Sequence, residues 1–167
     1  MITVEGAEKL SVQMQQFSKD ARRKLEHMVS RFASDVVQAA STNTPIGDAA
    51  SLVNNTAYAG LYEYRARTYG IPEQVGYHKG SWVVQEASDI EFDPSIQSTA
   101  SAVSAAYARM QAFYRLGDTF YIGSSGPGIM QLEQGYSKQA PAGISKPTLQ
   151  MVLQAYRADL PRYYMEG

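Results

Sequence analysis

Residues 7–40 read AEKLSVQMQQFSKDARRKLEHMVSRFASDVVQAA, and this stretch decides the fold. Leu10, Met14, Phe17, Ala21, Leu25, Met28, Phe32, Val36 and Ala39 follow one another at steps of 4, 3, 4, 4, 3, 4, 4 and 3. That spacing places side chains on one face of an α-helix. At 1.5 Å per residue such a helix spans roughly 50 Å, whereas a chain of this mass has a radius of gyration of roughly 15 Å. Part of the helix is therefore expected to project from the body or to pack against another chain.

Two shorter helices follow. One is expected from Asp93-Pro94, an N-cap acid followed by proline at the first helical position. It carries Ile96, Ala100, Val103, Tyr107, Met110 and Tyr114 and ends at Gly117, which suits a left-handed C′ residue. The other opens near Ser145-Lys146-Pro147, carries Leu149, Val152, Leu153, Tyr156 and Leu160, and is expected to end at Pro161, which has no N–H to donate. Two short β-branched or aromatic runs, Trp82 to Ala87 and Thr119 to Ile122, read as strands. Paired antiparallel, with the second helix as their connection, they give an α+β fold: a long N-terminal helix, a small antiparallel sheet and two further helices. The chain reads as a single domain over 1–167, with 1–41 the long helix and 42–80 an extended loop segment. That segment holds Thr44-Pro45-Ile46-Gly47-Asp48 and Tyr58, Tyr62, Tyr64, Tyr69 and Tyr77. A connection this long is unusual inside a compact domain. Its tyrosines suggest that it packs on a partner, and a further strand inside 50–78 is compatible with its composition.

Composition narrows the classes. The 167 residues are 44% hydrophobic and 19% charged, enough apolar material for a core and unlike a disordered chain. With no cysteine there is neither a disulfide framework nor a thiolate zinc site, which suits a reducing compartment. Fifteen Lys+Arg against sixteen Asp+Glu give no global pull toward nucleic acid or an anionic membrane. No apolar run approaches the roughly 18 residues of a membrane span. The opening MITVEGAEKLSVQMQQ has neither the basic nor the apolar region of a signal peptide, so a soluble single domain is expected.

Signals for chemistry are sparse. His27 and His78 lie on different segments and form no metal-binding spacing, so neither a metal nor a cofactor is expected. Gly123-Ser124-Ser125-Gly126-Pro127-Gly128 follows a strand as a phosphate loop would, but Ile129-Met130 stands where such a loop needs Lys-Ser/Thr. It reads as a strand-exit turn. No Gly-x-Ser-x-Gly elbow marks a nucleophile. Asn54-Asn55-Thr56 has the spacing of a glycosylation site in a chain without a secretory signal. Lys19, Arg22, Arg23, Lys24 and Arg31 make a basic cluster diluted by Asp20, Glu26 and Asp35; it reads as a solvated helix face, with phosphate contact as the alternative. The run Glu133-Gln134-Gly135-Tyr136-Ser137-Lys138-Gln139-Ala140-Pro141-Ala142-Gly143 reads either as a plain loop or as a rigid contact loop, since tyrosine gives contact area at low entropic cost.

Several of these stretches occur together in one known order. Thr44-Pro45-Ile46-Gly47-Asp48 follows the long helix, and Gly76-Tyr77-His78-Lys79-Gly80-Ser81-Trp82 opens a strand. Arg115-Leu116-Gly117-Asp118-Thr119-Phe120-Tyr121-Ile122 leads into a second strand, and Leu132 to Ile144 precedes a closing helix. The order resembles that of the tail-completion (neck, minor tail) proteins of tailed bacteriophages over most of the chain. The resemblance implies a non-enzymatic virion protein at the head–tail junction, made in the host cytoplasm and completing the tail. It also implies copies assembled around the tail axis, with a hexameric ring expected, against tail-terminator or tail-tube and head-connector proteins. A tail terminator capping tube polymerisation, a DNA-contacting protein and a hydrolase are the alternatives. Contacts between subunits are expected from Thr44, Pro45, Tyr58, Tyr62, Tyr64, Trp82, Glu133, Tyr136, Ser137, Lys138, Gln139 and Pro141. A ring contact joins two different faces. The first helix or the 42–80 segment is expected to supply one and the Glu133–Gly143 loop the other. Removing 50–78 should then leave the helices folded and abolish incorporation into particles.

Overall fold

A computed structural model of the chain describes residues 7–45, 81–90, 98–124 and 129–165. The expectations placed on 46–80 (Tyr58, Tyr62, Tyr64, His78, Asn54-Asn55-Thr56 and a further strand) and on residues 125–128 lie outside the described residues.

The long helix α1 runs Ala7–Asn43 and stops where Pro45 removes a backbone donor and disfavours helical geometry in Thr44 before it. Strand β1, Trp82–Gln85, pairs antiparallel with β2, Tyr121–Ser124, in the register Trp82↔Ser124 to Gln85↔Tyr121. Between them runs α2, Thr99–Phe113. A short α3, Ile129–Glu133, precedes α4, Ser145–Met165. The α+β architecture, with a long N-terminal helix, a small antiparallel sheet and further helices, is therefore as expected.

Both α2 and α4 lie along α1, and cross-links fix their direction. Ser41 Oγ is 2.7 Å from Thr99 Oγ1, at the start of α2, while the Tyr107 hydroxyl is 3.2 Å from His27 Nδ1. Asn43 Nδ2 donates to Thr148 Oγ1 at 3.2 Å, and the Tyr156 hydroxyl donates to Asp35 Oδ2 at 2.6 Å. Both helices are thus antiparallel to α1 and leave its N-terminal half uncovered. Packed between them and the sheet are Ala33, Val37 and Ala40 of α1, Trp82, Val83 and Val84 of β1, and Ala102, Ala106 and Met110 of α2, with Tyr114, Ile129, Ala140 and Ile144 completing the core.

Several boundaries differ from expectation. Helix α2 starts at Thr99, because Ser98 is extended (φ −139°, ψ 159°) and forms a reciprocal capping box with Ser101; Asp93-Pro94 and Ile96, where the start was expected, lie outside the described residues. It ends at Phe113, because Tyr114 turns extended and buries its ring edge-on against Phe120, centroids 5.5 Å apart. Gly117 has φ +103° but serves the turn closed by Asp118 N–H to the Arg115 carbonyl at 2.9 Å, in the position that favours glycine. The backbone of α4 continues through Pro161 to Met165; a proline there removes one bond to the Arg157 carbonyl, and the neighbouring turns carry the helix on. β1 stops at Gln85 rather than Ala87, and β2 is displaced to 121–124, so Gly123 and Ser124 belong to a strand rather than to an exit turn.

Candidate functional site

Two surface features are built by this scaffold. The first is the arm of α1. Every described side chain from residue 9 to residue 20 is exposed, about 18 Å of helix at 1.5 Å per residue. Leu10, Met14 and Phe17 are 58%, 64% and 76% exposed, although they belong to the same apolar stripe that is covered further along. There Phe32 meets Tyr156 of α4 edge-on at 5.1 Å, one turn from the Asp35–Tyr156 hydrogen bond. Large apolar side chains exposed in a row, on a helix whose other end is packed, mark an interaction surface.

The base of the arm is fixed by Glu26. Its carboxylate accepts the Leu116 amide at 3.1 Å and Arg22 Nε at 3.2 Å, tying the turn after α2 to α1. The Leu116 amide, then Arg22 and Arg115, hold the Glu26 carboxyl below the usual carboxylate range, against a smaller opposing effect of burial. The basic residues form no stripe: Lys19, Arg22, Arg23, Lys24 and Arg31 are spread over more than half of the helix circumference, with Arg22 paired to Glu26 and Gln16 bonded to Asp20.

The second feature is the loop after α3. Gly135 (φ +79°) donates to the Leu132 carbonyl and Tyr136 N–H to the Gln131 carbonyl, both at 3.1 Å. Together these bonds make a Schellman C-cap. The loop then folds back on itself: Ser137 and Ala140 form a bridge, and Gly143 N–H donates to the Ala140 carbonyl. A Cβ on Gly135 would stand 2.4 Å from the Pro141 carbonyl oxygen, and one on Gly143 2.7 Å from the Glu133 carbonyl oxygen. Only glycine permits both approaches. The Glu133 carboxylate accepts the Ile144 and Ser145 amides and the Ser145 hydroxyl (2.6 Å), capping the start of α4. Tyr136, at 78% exposure, stands on this closed loop with Lys138, Gln139 and Pro141 also exposed and Ser137 half-buried.

Of the expected contact residues, Trp82 and Thr44 are corrected. Both are buried, and Trp82 Nε1 donates to Thr44 Oγ1 at 2.8 Å while the Thr44 hydroxyl donates to the Ala40 carbonyl at 2.7 Å. They lock β1 to the end of α1 and lie inside the chain rather than on its described surface. Glu133 is half-buried and spends its carboxylate on α4. Pro45 is half-buried beside Thr44. Leu10, Met14 and Phe17, exposed on the first helix that was expected to supply a face, were not among the residues named for contact, although their spacing had already placed them on one stripe. The signal was the length of that stripe against the size of the body.

An open concavity of about 350 Å³ lies between β1 and α2, walled by Val84, Gln85, Glu86, Asp89, Arg109 and Phe113. Among the described residues no group of three His, Asp or Glu side chains could hold a metal, and no helix is long and apolar enough to cross a membrane. No family model, curated protein or solved structure matches the chain.

Proposed function

We propose that the chain is a structural virion protein at the head–tail junction of a tailed bacteriophage, completing the tail and joining it to the head connector as part of a ring of its own copies. The ordered series of motifs from Thr44-Pro45 to the closing helix supports the family. The observation that carries the assembling role is the arm: Leu10, Met14 and Phe17 lie more than half exposed on one helical face, where a protein that worked alone would leave apolar area in water. Burying side chains of this size gains about 1.5–3 kcal/mol each, which favours a partner. The rigid loop carrying Tyr136 offers a second, different face, as a cyclic contact requires.

The test is a nonsense mutation in the gene within its phage. Complete heads and separate tails of normal length should accumulate, and chain supplied in trans should join them. Infectious particles free of the chain would refute the reading, and overlong tail tubes would assign the terminator role instead.

A further inference from the structure

We infer that the arm of α1 is a self-pairing surface: two copies of the free chain join by laying their arms antiparallel, stripe to stripe. The inference concerns the chain in solution and stands independently of the virion assignment.

The stripe Leu10, Met14, Phe17, Ala21 has steps of 4, 3 and 4, a series that reads the same in either direction. Reversing one helix against another therefore brings every member opposite another member. Leu10 meets Ala21, a large side chain against a small one, and Met14 meets Phe17 twice at the centre, a favourable sulfur–aromatic pairing. A neighbour lying parallel would set Phe17 against Phe17 and Ala21 against Ala21, crowding one level and emptying the next. The antiparallel arrangement also opposes the two helix dipoles.

Charge permits the contact. The positions bordering the stripe are Ser11, Gln13, Ser18, Asp20 and Lys24, small or uncharged apart from one acid and one base. The cations Lys19 and Arg23 lie on the far side, and Arg22, on the flank beyond Ser11 and Ser18, is paired to Glu26. The stripe is moreover one continuous face with the seat of α4, which already lies antiparallel to α1 through Phe32–Tyr156 and Asp35–Tyr156. The partner arm extends along the uncovered half the same packing that α4 makes along the covered half. Among the described residues every side chain of the arm from 9 to 20 is exposed, which leaves the stripe open to a second copy. Three large side chains per copy cover less than the roughly 800 Å² per partner of a standard interface, so the pair is expected to be reversible.

Sedimentation velocity of the full chain from about 1 to 200 μM, a range that spans weak association, tests the pairing. A dimer that dissociates on dilution is expected. Met14→Glu should abolish it while leaving the circular dichroism unchanged, since the residue touches no core. A monomer throughout, a larger closed oligomer, or a dimer that survives Met14→Glu would overturn the inference. Orientation is read separately, because the chain has no cysteine of its own. An equal mixture of Leu10→Cys and Ala21→Cys chains should oxidise mainly to the mixed 10–21 disulfide. Predominant 10–10 and 21–21 products would contradict the antiparallel arrangement.

Discussion

Thr44 carries two jobs on one hydroxyl, accepting from the Trp82 indole and donating to the Ala40 carbonyl. Thr44→Val keeps the shape and leaves a buried indole N–H unpaired, a loss of about 1–3 kcal/mol. Since Trp82 is the single tryptophan, its emission during urea unfolding should report the lowered midpoint directly. Two glycines allow a sharper comparison. At Gly117 (φ +103°) an added Cβ meets nothing within 4 Å, whereas at Gly135 (φ +79°) it meets the Pro141 carbonyl at 2.4 Å. Gly117→Ala should cost about 1 kcal/mol for the left-handed backbone alone, and Gly135→Ala clearly more, as measured by the same unfolding midpoint.

Elements are held together here mainly through α1, and Glu26 shows how. Its carboxyl is held below the ordinary range by the Leu116 amide first, then by Arg22 and Arg115. A carboxylate whose folded pKa lies below its unfolded one stabilises fully above the ordinary glutamate pKa of about 4.3, and the stabilisation is lost as pH falls through the folded value. Glu26→Gln should therefore lower the thermal midpoint at neutral pH, and its difference from wild type should close in acid. The helical period of α1 was legible because its large side chains repeat at 4 and 3. The face that enters the core was not, because Ser30, Ala33, Ser34, Ala40 and Ser41 are too small or too polar to register as hydrophobic. Ser30 and Ser34 bury their hydroxyls by donating to the carbonyls four residues back, a local solution that hydropathy cannot see. Small residues on α1 and α2 then let the helices approach. The start of α2 was misplaced because Asp93-Pro94 is the stronger cap by residue type, while the Ser98–Ser101 pair made the bonds. Helix α3 went unseen because five residues carry no period; Gly135, seven residues after Gly128, was the cue to its end.

At the scale of the whole molecule, the described residues pack around one half of a helix and leave its other half exposed. The loop after α3 was legible in the sequence as one of two readings and takes its shape in the structure from its glycine turns; the burial of Trp82 and Thr44 was not legible, since tertiary burial cannot be told from surface display in a short motif. A two-fold pairing of arms has no direction, whereas a ring around a tail axis does. On the proposed function the arm would exchange one partner for another when a copy enters the ring, so free pairing and assembly would compete for the same side chains. The most direct measurement is complementation of a phage lacking the gene by the Met14→Glu/Phe17→Glu chain, with its folding followed by circular dichroism. A folded variant that gives heads and tails unjoined, and a titre lower by orders of magnitude, is the result predicted. Wild-type titre from that variant would contradict the account.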